Sequence, residues 1–336
     1  MSETESKVEY SDNTIFAKRY SGVALIKFWL KIYFNYFKTY LKLARTLILK
    51  ECYYGPFKGE FGHFLAHNLP FLMYLYSKGV KIHYCGMDLH KPFLVDENKK
   101  SIIAQYFSLR DFFSETSPKS NSTIPPEDVQ GEIKKFQDIA VASGKPYWNI
   151  GDDYYYWFIH RNLLLKGFTK SYNLEKAYKT KDEFSACVFA RSKGAGKISK
   201  NNGEPWDYEE LLEKIKPYFE KVYMCGHPSQ CLTLSEKDNV ELCVTTDNSK
   251  ILEKCANSKL IITQHSGVNN LGEYTNNQVL VIYKGGNKVN DIGSIQNTLR
   301  FRPSIGKRHP LSFAFSMDEV VSFVREFSEK AKSNAS

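Results

Sequence analysis

The strongest constraint on the fold is a regular alternation of short apolar runs with helix-length segments in the second half of the chain. Strands that alternate with helices of this length form βαβ units, and their strands lie parallel in one sheet. The predicted strands cover residues 186–190, 221–224, 240–244, 260–263 and 279–283. The predicted helices cover residues 206–219, 249–256, 268–276 and 317–332.

Three turns with glycines follow three of these strands. The basic turn 191–197 reads RSKGAGK, Gly226-His227 closes the next strand, and His265-Ser266-Gly267 precedes a helix. The carboxyl ends of parallel strands share one sheet edge, where ligands bind. Cations and backbone N–H groups at such turns suit a diphosphate. Since Gly267 lacks a Cβ, we expect a ligand to approach it closely.

The first half contains the candidates for acid–base chemistry. Glu60 lies in a glycine-flanked loop that follows a predicted strand at 51–54 and a predicted turn at Gly55-Pro56. A carboxylate in a partly apolar pocket can act as a general base. Asp88 follows a strand at 80–84 and is a second candidate base; it could equally be a turn residue. His63 and His67 are one helical turn apart, but the segment lacks the HExxH motif and a third ligand, so no metal is expected.

Residues 20–50 predict a long helix with a basic stripe. Its polar residues recur at spacings of three and four, and the remaining surface is largely aromatic and aliphatic. They are Lys27, Lys31, Asn35, Lys38, Lys42 and Arg45. This pattern is typical of a helix in a membrane interface. A helix packed on the protein body, with lysine stems covering apolar surface, is the alternative.

Length and composition bound the remaining possibilities. A chain of 336 residues favours two domains. A net charge of +9 favours acidic partners, and seven dispersed cysteines indicate a reducing cytoplasmic compartment. The predicted boundaries are 1–48 for a disordered start and basic aromatic amphipathic helix, 49–180 and 181–310 for two domains, and 311–336 for a C-terminal helix. Phe93 to Val95 is predicted as a further short strand.

Residues 184–284 resemble the nucleotide-sugar half of glycosyltransferases with the GT-B fold, including heptosyltransferase-like enzymes of bacterial surface polysaccharide synthesis. The segment Gly55–Gly62 resembles a G-E-F-G loop that faces the acceptor in some capsule and O-antigen transferases. The resemblance implies an α/β fold in which two Rossmann-like domains face a cleft. It also implies a catalytic role for Glu60, and Asp88 and His63 are the further catalytic candidates in this half of the chain. The implied nucleotide-sugar-binding residues are Arg191, Lys193, Lys197, Gly226, His227, His265, Ser266, Gly267 and Asn269. Glu273, on the helix that follows, could accept ribose hydroxyls; a plain surface carboxylate is the alternative.

The resulting hypothesis is a metal-independent glycosyltransferase without a cofactor, which uses a nucleotide sugar as co-substrate and a glycan or lipid-linked acceptor. It would act in the cytoplasm, peripherally on the inner membrane face, with residues 20–50 on an anionic membrane surface; no nucleic acid is expected. One alternative is a polysaccharide pyruvyltransferase on the same fold, whose basic cleft takes phosphoenolpyruvate. Another is a non-enzymatic module that binds membrane or nucleic acid through its positive charge.

Overall fold

Two parallel sheets organise the protein. The computed structural model describes residues 22–58, 61–112, 125–150, 168, 170–190, 206–228, 231, 238–264, 266–283 and 311–335. In the first sheet the strand order is β3-β2-β1-β4, and in the second it is β10-β9-β8-β5-β6-β7. The strands are β1 Glu51–Phe57, β2 Lys81–Met87, β3 Gln105–Leu109, β4 Tyr147–Trp148, β5 Ser185–Phe189, β6 Lys221–Gly226, β7 Val240–Val244, β8 Leu260–Gln264, β9 Gln278–Ile282 and β10 Leu311–Ala314.

Strand β1 is longer than the sequence predicts. Gly55 and Pro56 lie inside it, so the predicted turn at this dipeptide is wrong. The register with β2 runs from Glu51 to Tyr54 and resumes at Phe57 after an irregularity. Pro56 has no N–H to donate to the ladder, and it therefore lies where the regular pairing is interrupted.

The helices of the first domain match the apolar pattern with two differences. The apolar, helix-length segment 64–76 forms a π-helical turn, Phe64–Asn68, followed by the helix Leu69–Ser77. Pro70 lies in the first turn of that helix, where its missing N–H is harmless. The predicted strand at Phe93–Val95 is wrong, because a 3₁₀ turn ends at Phe93 and Val95 forms only an isolated bridge with Ser101. The elements are α1 Gly22–Leu49, α2 Phe61–His63, the π turn Phe64–Asn68, α3 Leu69–Ser77, the 3₁₀ turn Asp88–Phe93 and α4 Glu127–Ala142.

The second sheet has the strand order of a dinucleotide-binding Rossmann fold. Counted along the chain from β5 to β10, its strands lie in the order 3-2-1-4-5-6. All of its strand pairs are parallel. The topological switch point falls between β5 and β8, whose pairing ends at Phe189 and Thr263. The sequence pattern of strands alternating with helices is thus confirmed in this half.

The helices of the second domain begin at residues that favour helix starts. The Asp207 carboxylate accepts a hydrogen bond from the Glu210 N–H, and Asp247 accepts one from the Ser249 N–H. Residues 311–314 form the edge strand β10 and not helix, and the C-terminal helix Met317–Ala335 packs against β10 and the helix Tyr208–Ile215. The domain boundaries stay predictions. The helices are α5 Glu175–Tyr178, α6 Tyr208–Ile215, α7 Asn248–Asn257, α8 Gly272–Thr275 and α9 Met317–Ala335.

One cluster of buried apolar side chains extends through both domains. It contains Leu65 and Phe71 of the first domain and Leu271 and Tyr274 of the second. A second cluster fills the opposite face of the six-stranded sheet, between β5, α6 and α9. Among the described residues, no helix combines the length and apolar character required to cross a bilayer. All seven cysteines are free thiols, and all but Cys231 are buried.

Candidate functional site

The switch point of the second sheet is the natural place for a ligand. In open α/β sheets, ligands bind outside the carboxyl ends of the strands where the strand order reverses. Gln264 closes β8 at this point and is 8% exposed. The Tyr208 hydroxyl donates to Gln264 Oε1 over 3.1 Å. The first residue of α6 therefore lies beside the end of β8 and fixes a polar amide next to the crevice.

Ser266 and Asn269 form a capping box after β8. The Ser266 hydroxyl accepts from the Val268 N–H over 3.3 Å, and Asn269 Oδ1 accepts from the Ser266 N–H over 3.4 Å. The Ser266 hydroxyl also lies 3.2 Å from Thr263 Oγ1. These side chains fix the first turn that follows the strand end. Their predicted contact with a ligand stays a prediction.

Gly267 meets the backbone of the first domain. A Cβ added at Gly267 would lie 2.3 Å from both Cα and N of Gly62, and one added at Gly62 would lie 2.6 Å from Gly267 Cα. The close approach that the sequence assigned to a ligand at Gly267 is thus made by Gly62. The Tyr274 hydroxyl donates to the Leu65 carbonyl over 2.5 Å beside this contact. The loop after β1 and the loop after β8 therefore face each other.

His227 bridges the domains at a second place. Its Nε2 lies 3.0 Å from Oδ2 of Asp111, which follows β3 in the first domain, and each side chain is about a quarter exposed. Gly226 precedes it, and a Cβ at Gly226 would lie 3.0 Å from the Sγ of Cys231. The sequence singled out Gly226 and His227 but not Asp111. The only sequence signal for Asp111 is that a hydrophilic residue follows the end of a strand.

Glu273 is a buried carboxylate in the first turn of α8. Only 6% of its surface is exposed, so it is not the plain surface residue that was the alternative to a binding role. A buried carboxylate is costly unless it is paired or hydrogen-bonded. The preceding Gly272 is required by packing, because a Cβ there would lie 2.4 Å from Val279 Cγ2. The predicted contact of Glu273 with a ribose stays a prediction.

Asp88 begins the 3₁₀ turn that follows β2. Lys91 Nζ lies 2.6 Å from its Oδ1, and the Ser108 hydroxyl donates to the same oxygen. The side chain is about half exposed. Both partners hold the carboxylate in place through charge-assisted contacts at its Oδ1.

His90 is a buried residue that the sequence analysis missed. Its ring stacks on Phe64 with centroids 4.3 Å apart, and its Nδ1 lies 3.3 Å from the Tyr84 hydroxyl. Its Nε2 has no hydrogen-bond partner among the described residues. Burial lowers the pKa of His90 to about 3, so the ring is neutral. It packs directly behind the π turn, and π turns often accompany functional sites.

Several predicted site residues lie outside the described residues. They are Glu60, Arg191, Lys193, Lys197 and His265. His63 ends α2, and only its backbone is described. Within the part of the chain that the structure describes, no group of three or more histidine, cysteine, aspartate or glutamate side chains is arranged to hold a metal ion.

Comparison with known proteins gives structural similarity only. No protein-family model matches the chain, and no curated protein matches it in sequence. The structure of E. coli heptosyltransferase WaaC with ADP is similar at a TM-score of 0.50 and 12% identity, over 83% of this chain and 98% of that one. E. coli ADP-heptose LPS heptosyltransferase II gives a TM-score of 0.48 at 9% identity, over 84% and 99% of the two chains.

A glycosyl transferase family 9 protein from Veillonella parvula gives a TM-score of 0.43 at 13% identity, over 83% of this chain and 88% of that one. At these identities the similarity bears on the fold. The alignment with the WaaC–ADP structure extends over both domains, and the two parallel sheets of the described residues agree with it. The chain has the α/β fold of two Rossmann-like domains that face a cleft, which is the GT-B fold.

Proposed function

We propose that the protein is a glycosyltransferase that moves a sugar from a nucleotide-sugar donor to a glycan or lipid-linked acceptor. The observation that carries the proposal is the position of the switch point. The crevice between β5 and β8 is the place where a Rossmann sheet binds a nucleotide, and the loop after β1 faces it through the contact of Gly62 with Gly267. A donor bound in the second domain would thus meet an acceptor held by the first.

The donor diphosphate would lie between the basic turn 191–197 and the first turn after β8. Cations and N–H groups at these positions would stabilise the negative charge that develops on the departing nucleoside diphosphate. The structural similarity to a heptosyltransferase that binds ADP supports a nucleoside diphosphate as the leaving group. In this scheme the charge is neutralised by protein groups, and the reaction uses no metal and no cofactor.

Glu60 is the candidate general base. It directly precedes Phe61 of α2, and the next residue, Gly62, contacts Gly267 of the second domain. The Glu60 carboxylate would take the proton of the acceptor hydroxyl while that oxygen bonds to the anomeric carbon. The bond between that carbon and the diphosphate oxygen would break on the opposite face, so the configuration would invert.

A binding screen tests the donor class. We expect ADP, UDP or GDP to raise the melting temperature of the full chain, and phosphoenolpyruvate to leave it unchanged. The triple change Arg191→Gln, Lys193→Gln and Lys197→Gln should abolish the shift, whereas the surface changes Lys134→Gln, Lys330→Gln and Lys332→Gln should keep it. Stabilisation by phosphoenolpyruvate and by no nucleotide would replace this function with pyruvyl transfer. Absence of both responses, with salt-sensitive RNA binding, would favour a non-enzymatic module.

Kinetics with the active donor then test the base. Glu60→Gln should lower kcat by about 10²- to 10⁴-fold with little change in donor affinity. Asp88→Asn and His63→Gln, the other candidates, should then have smaller effects. A larger loss of kcat in Asp88→Asn than in Glu60→Gln would move the role of base to Asp88.

A further inference from the structure

Helix α1 carries most of the exposed apolar surface that the structure describes. Of the eleven large apolar side chains that are strongly exposed in this part of the chain, nine belong to α1. Six of them form its centre and are between 54% and 64% exposed: Ile26, Leu30, Tyr33, Phe34, Phe37 and Leu41. Their spacing of three and four residues places them on one face, which we call the apolar stripe.

The apolar stripe points away from the protein body. At about 100° per residue, Thr39, Leu43 and Thr46 lie on the opposite side of the helix, and all three are buried. Thr46 Oγ1 accepts a hydrogen bond from Trp148 Nε1 of the first domain over 3.1 Å. The core therefore holds α1 by its other face, and no part of the chain that the structure describes covers the stripe.

The charges of α1 have a single sign. Its 28 residues contain four lysines and one arginine and no acidic residue. On the helix surface these cations form a row between the stripe and the body. Two of them, Lys42 and Arg45, donate to the carbonyls of Tyr147 and Gly144, each over 2.9 Å. Lys38 lies over the ring of Phe34, with its Nζ 4.4 Å from the centroid.

We propose that the apolar stripe docks on a lipid bilayer that contains anionic phospholipids. Apolar side chains at the centre of the exposed face would enter the acyl boundary, and the flanking cations would lie at the level of the phosphates. The protein body, on the opposite face, would stay in water. A second copy of the chain is a poorer occupant, because a two-fold pairing of this face would bring rows of like charge together.

The direction of α1 sets the side of the protein that meets the bilayer. Helix α1 ends at Leu49 and β1 begins at Glu51, so this end of the helix lies at the amino-terminal edge of the first sheet. Leu43 and Thr39, which are farther from that end, are also buried. The helix therefore lies back over the sheet, and its Gly22 end points toward the carboxyl ends of the strands. The helix is about 42 Å long, whereas β1 spans about 23 Å, so the first half of α1 extends past the sheet. Docking would place the cleft edge beside the membrane. This consequence rests on the proposed function. Of the two acceptor classes proposed there, it selects the lipid-linked one.

Vesicle binding of the full chain tests the docking without any substrate, so it can fail independently of the proposed function. We expect sedimentation with vesicles of phosphatidylcholine and phosphatidylglycerol, and little with phosphatidylcholine alone. The triple change Leu30→Ser, Phe34→Ser and Phe37→Ser should weaken binding by about tenfold or more. The matched control is Ile139→Ser with Val141→Ser, which are exposed apolar residues on α4 and should bind as the wild type does.

Charge variants provide a second readout if the apolar variant does not fold, which circular dichroism would show. Lys27→Gln with Lys38→Gln should weaken binding by about fivefold per cation, whereas Lys330→Gln with Lys332→Gln should not. Failure of the wild type to bind anionic vesicles would overturn the proposal, as would equal binding of the stripe variants and their controls. A dimer in solution that the stripe variant converts to monomer, without lipid binding, would assign the face to a second copy and also overturn it.

Discussion

Gly62 and Gly267 meet backbone to backbone where the two domains face each other. A Cβ added to either glycine would lie within 2.6 Å of the Cα atom of the other. Gly62 lies in α2, the short helix that follows β1, and Gly267 begins the 3₁₀ turn that follows β8. These are the segments expected to adjoin the acceptor and the donor. Their contact therefore fixes the distance between the two halves of the candidate site.

Gly267→Ala should force these loops apart. The new Cβ would overlap backbone atoms that cannot rotate away, so we expect the free energy of unfolding to fall by about 1–3 kcal/mol. Denaturant titration measures the change. Gly131→Ala is the matched control, because no atom lies within 4 Å of its added Cβ. Since Gly131 is inside α4, that change should stabilise the protein by about 0.5–1 kcal/mol. An equal response of the two variants would contradict the close contact.

Asp111 and His227 should contribute to the contact between the domains. A double-mutant cycle with Asp111→Asn and His227→Ala should give a coupling energy of about 1 kcal/mol in denaturant unfolding. The exposed pair Arg110 and Asp128 lies within the first domain and should give about 0.3–0.5 kcal/mol in the same cycle. A coupling near zero for Asp111 with His227 would show that this hydrogen bond does not stabilise the assembled domains.

His90 should make stability fall as the pH is lowered. Because burial lowers its pKa to about 3, the folded protein excludes a proton that the unfolded chain binds below about pH 6.5. This contribution to stability is complete above pH 6.5 and is lost as the pH falls toward 3. The free energy of unfolding should drop by about 2 kcal/mol between pH 7 and pH 5. His90→Gln should abolish most of that drop, and His83→Gln, at a residue bound to Glu51, should keep it. An unchanged drop in His90→Gln would refute the assignment.

Glu273 should affect nucleotide affinity if it accepts ribose hydroxyls. Glu273→Gln removes a charged acceptor, so we expect nucleoside diphosphate binding to weaken by about tenfold or more in calorimetric titration. Glu253→Gln, at an exposed position of α7, is the control and should bind as the wild type does. A deoxyribose nucleotide lacks one of these hydroxyls, so we expect it to bind the wild type and Glu273→Gln with equal affinity. Unchanged ribonucleotide affinity in Glu273→Gln would exclude this role.

The strands and helices of the second half could be predicted because local patterns specify them. Each strand is a short apolar run and each helix has an apolar face, as in Leu211, Leu212 and Ile215 of α6. The first half was harder, because β3 is only partly buried and its sequence carries a weak apolar pattern. The Gly55-Pro56 dipeptide predicts a turn, but Pro56 lies inside β1 at an interruption of the ladder with β2, which local sequence does not reveal.

The candidate site could be predicted only in part. Glycine-bearing turns at strand ends are visible in the sequence, and they led to Gly226, Ser266 and Gly267. The partners of these residues lie far away in the chain: Gly267 packs on Gly62, and His227 bonds to Asp111. His90 had no sequence signal, because nothing local distinguishes a buried histidine from an exposed one.

The sequence by itself determined the alternation of strand and helix, the glycine turns at strand ends, and the cations and aromatic residues of α1. These depend on residue type and spacing over a few turns of chain. Tertiary structure alone decided the strand order with its switch point, the contact between Gly62 and Gly267, and the face of α1 that stays uncovered. Those features depend on contacts between residues far apart in the chain, and each is set by packing that no local pattern encodes.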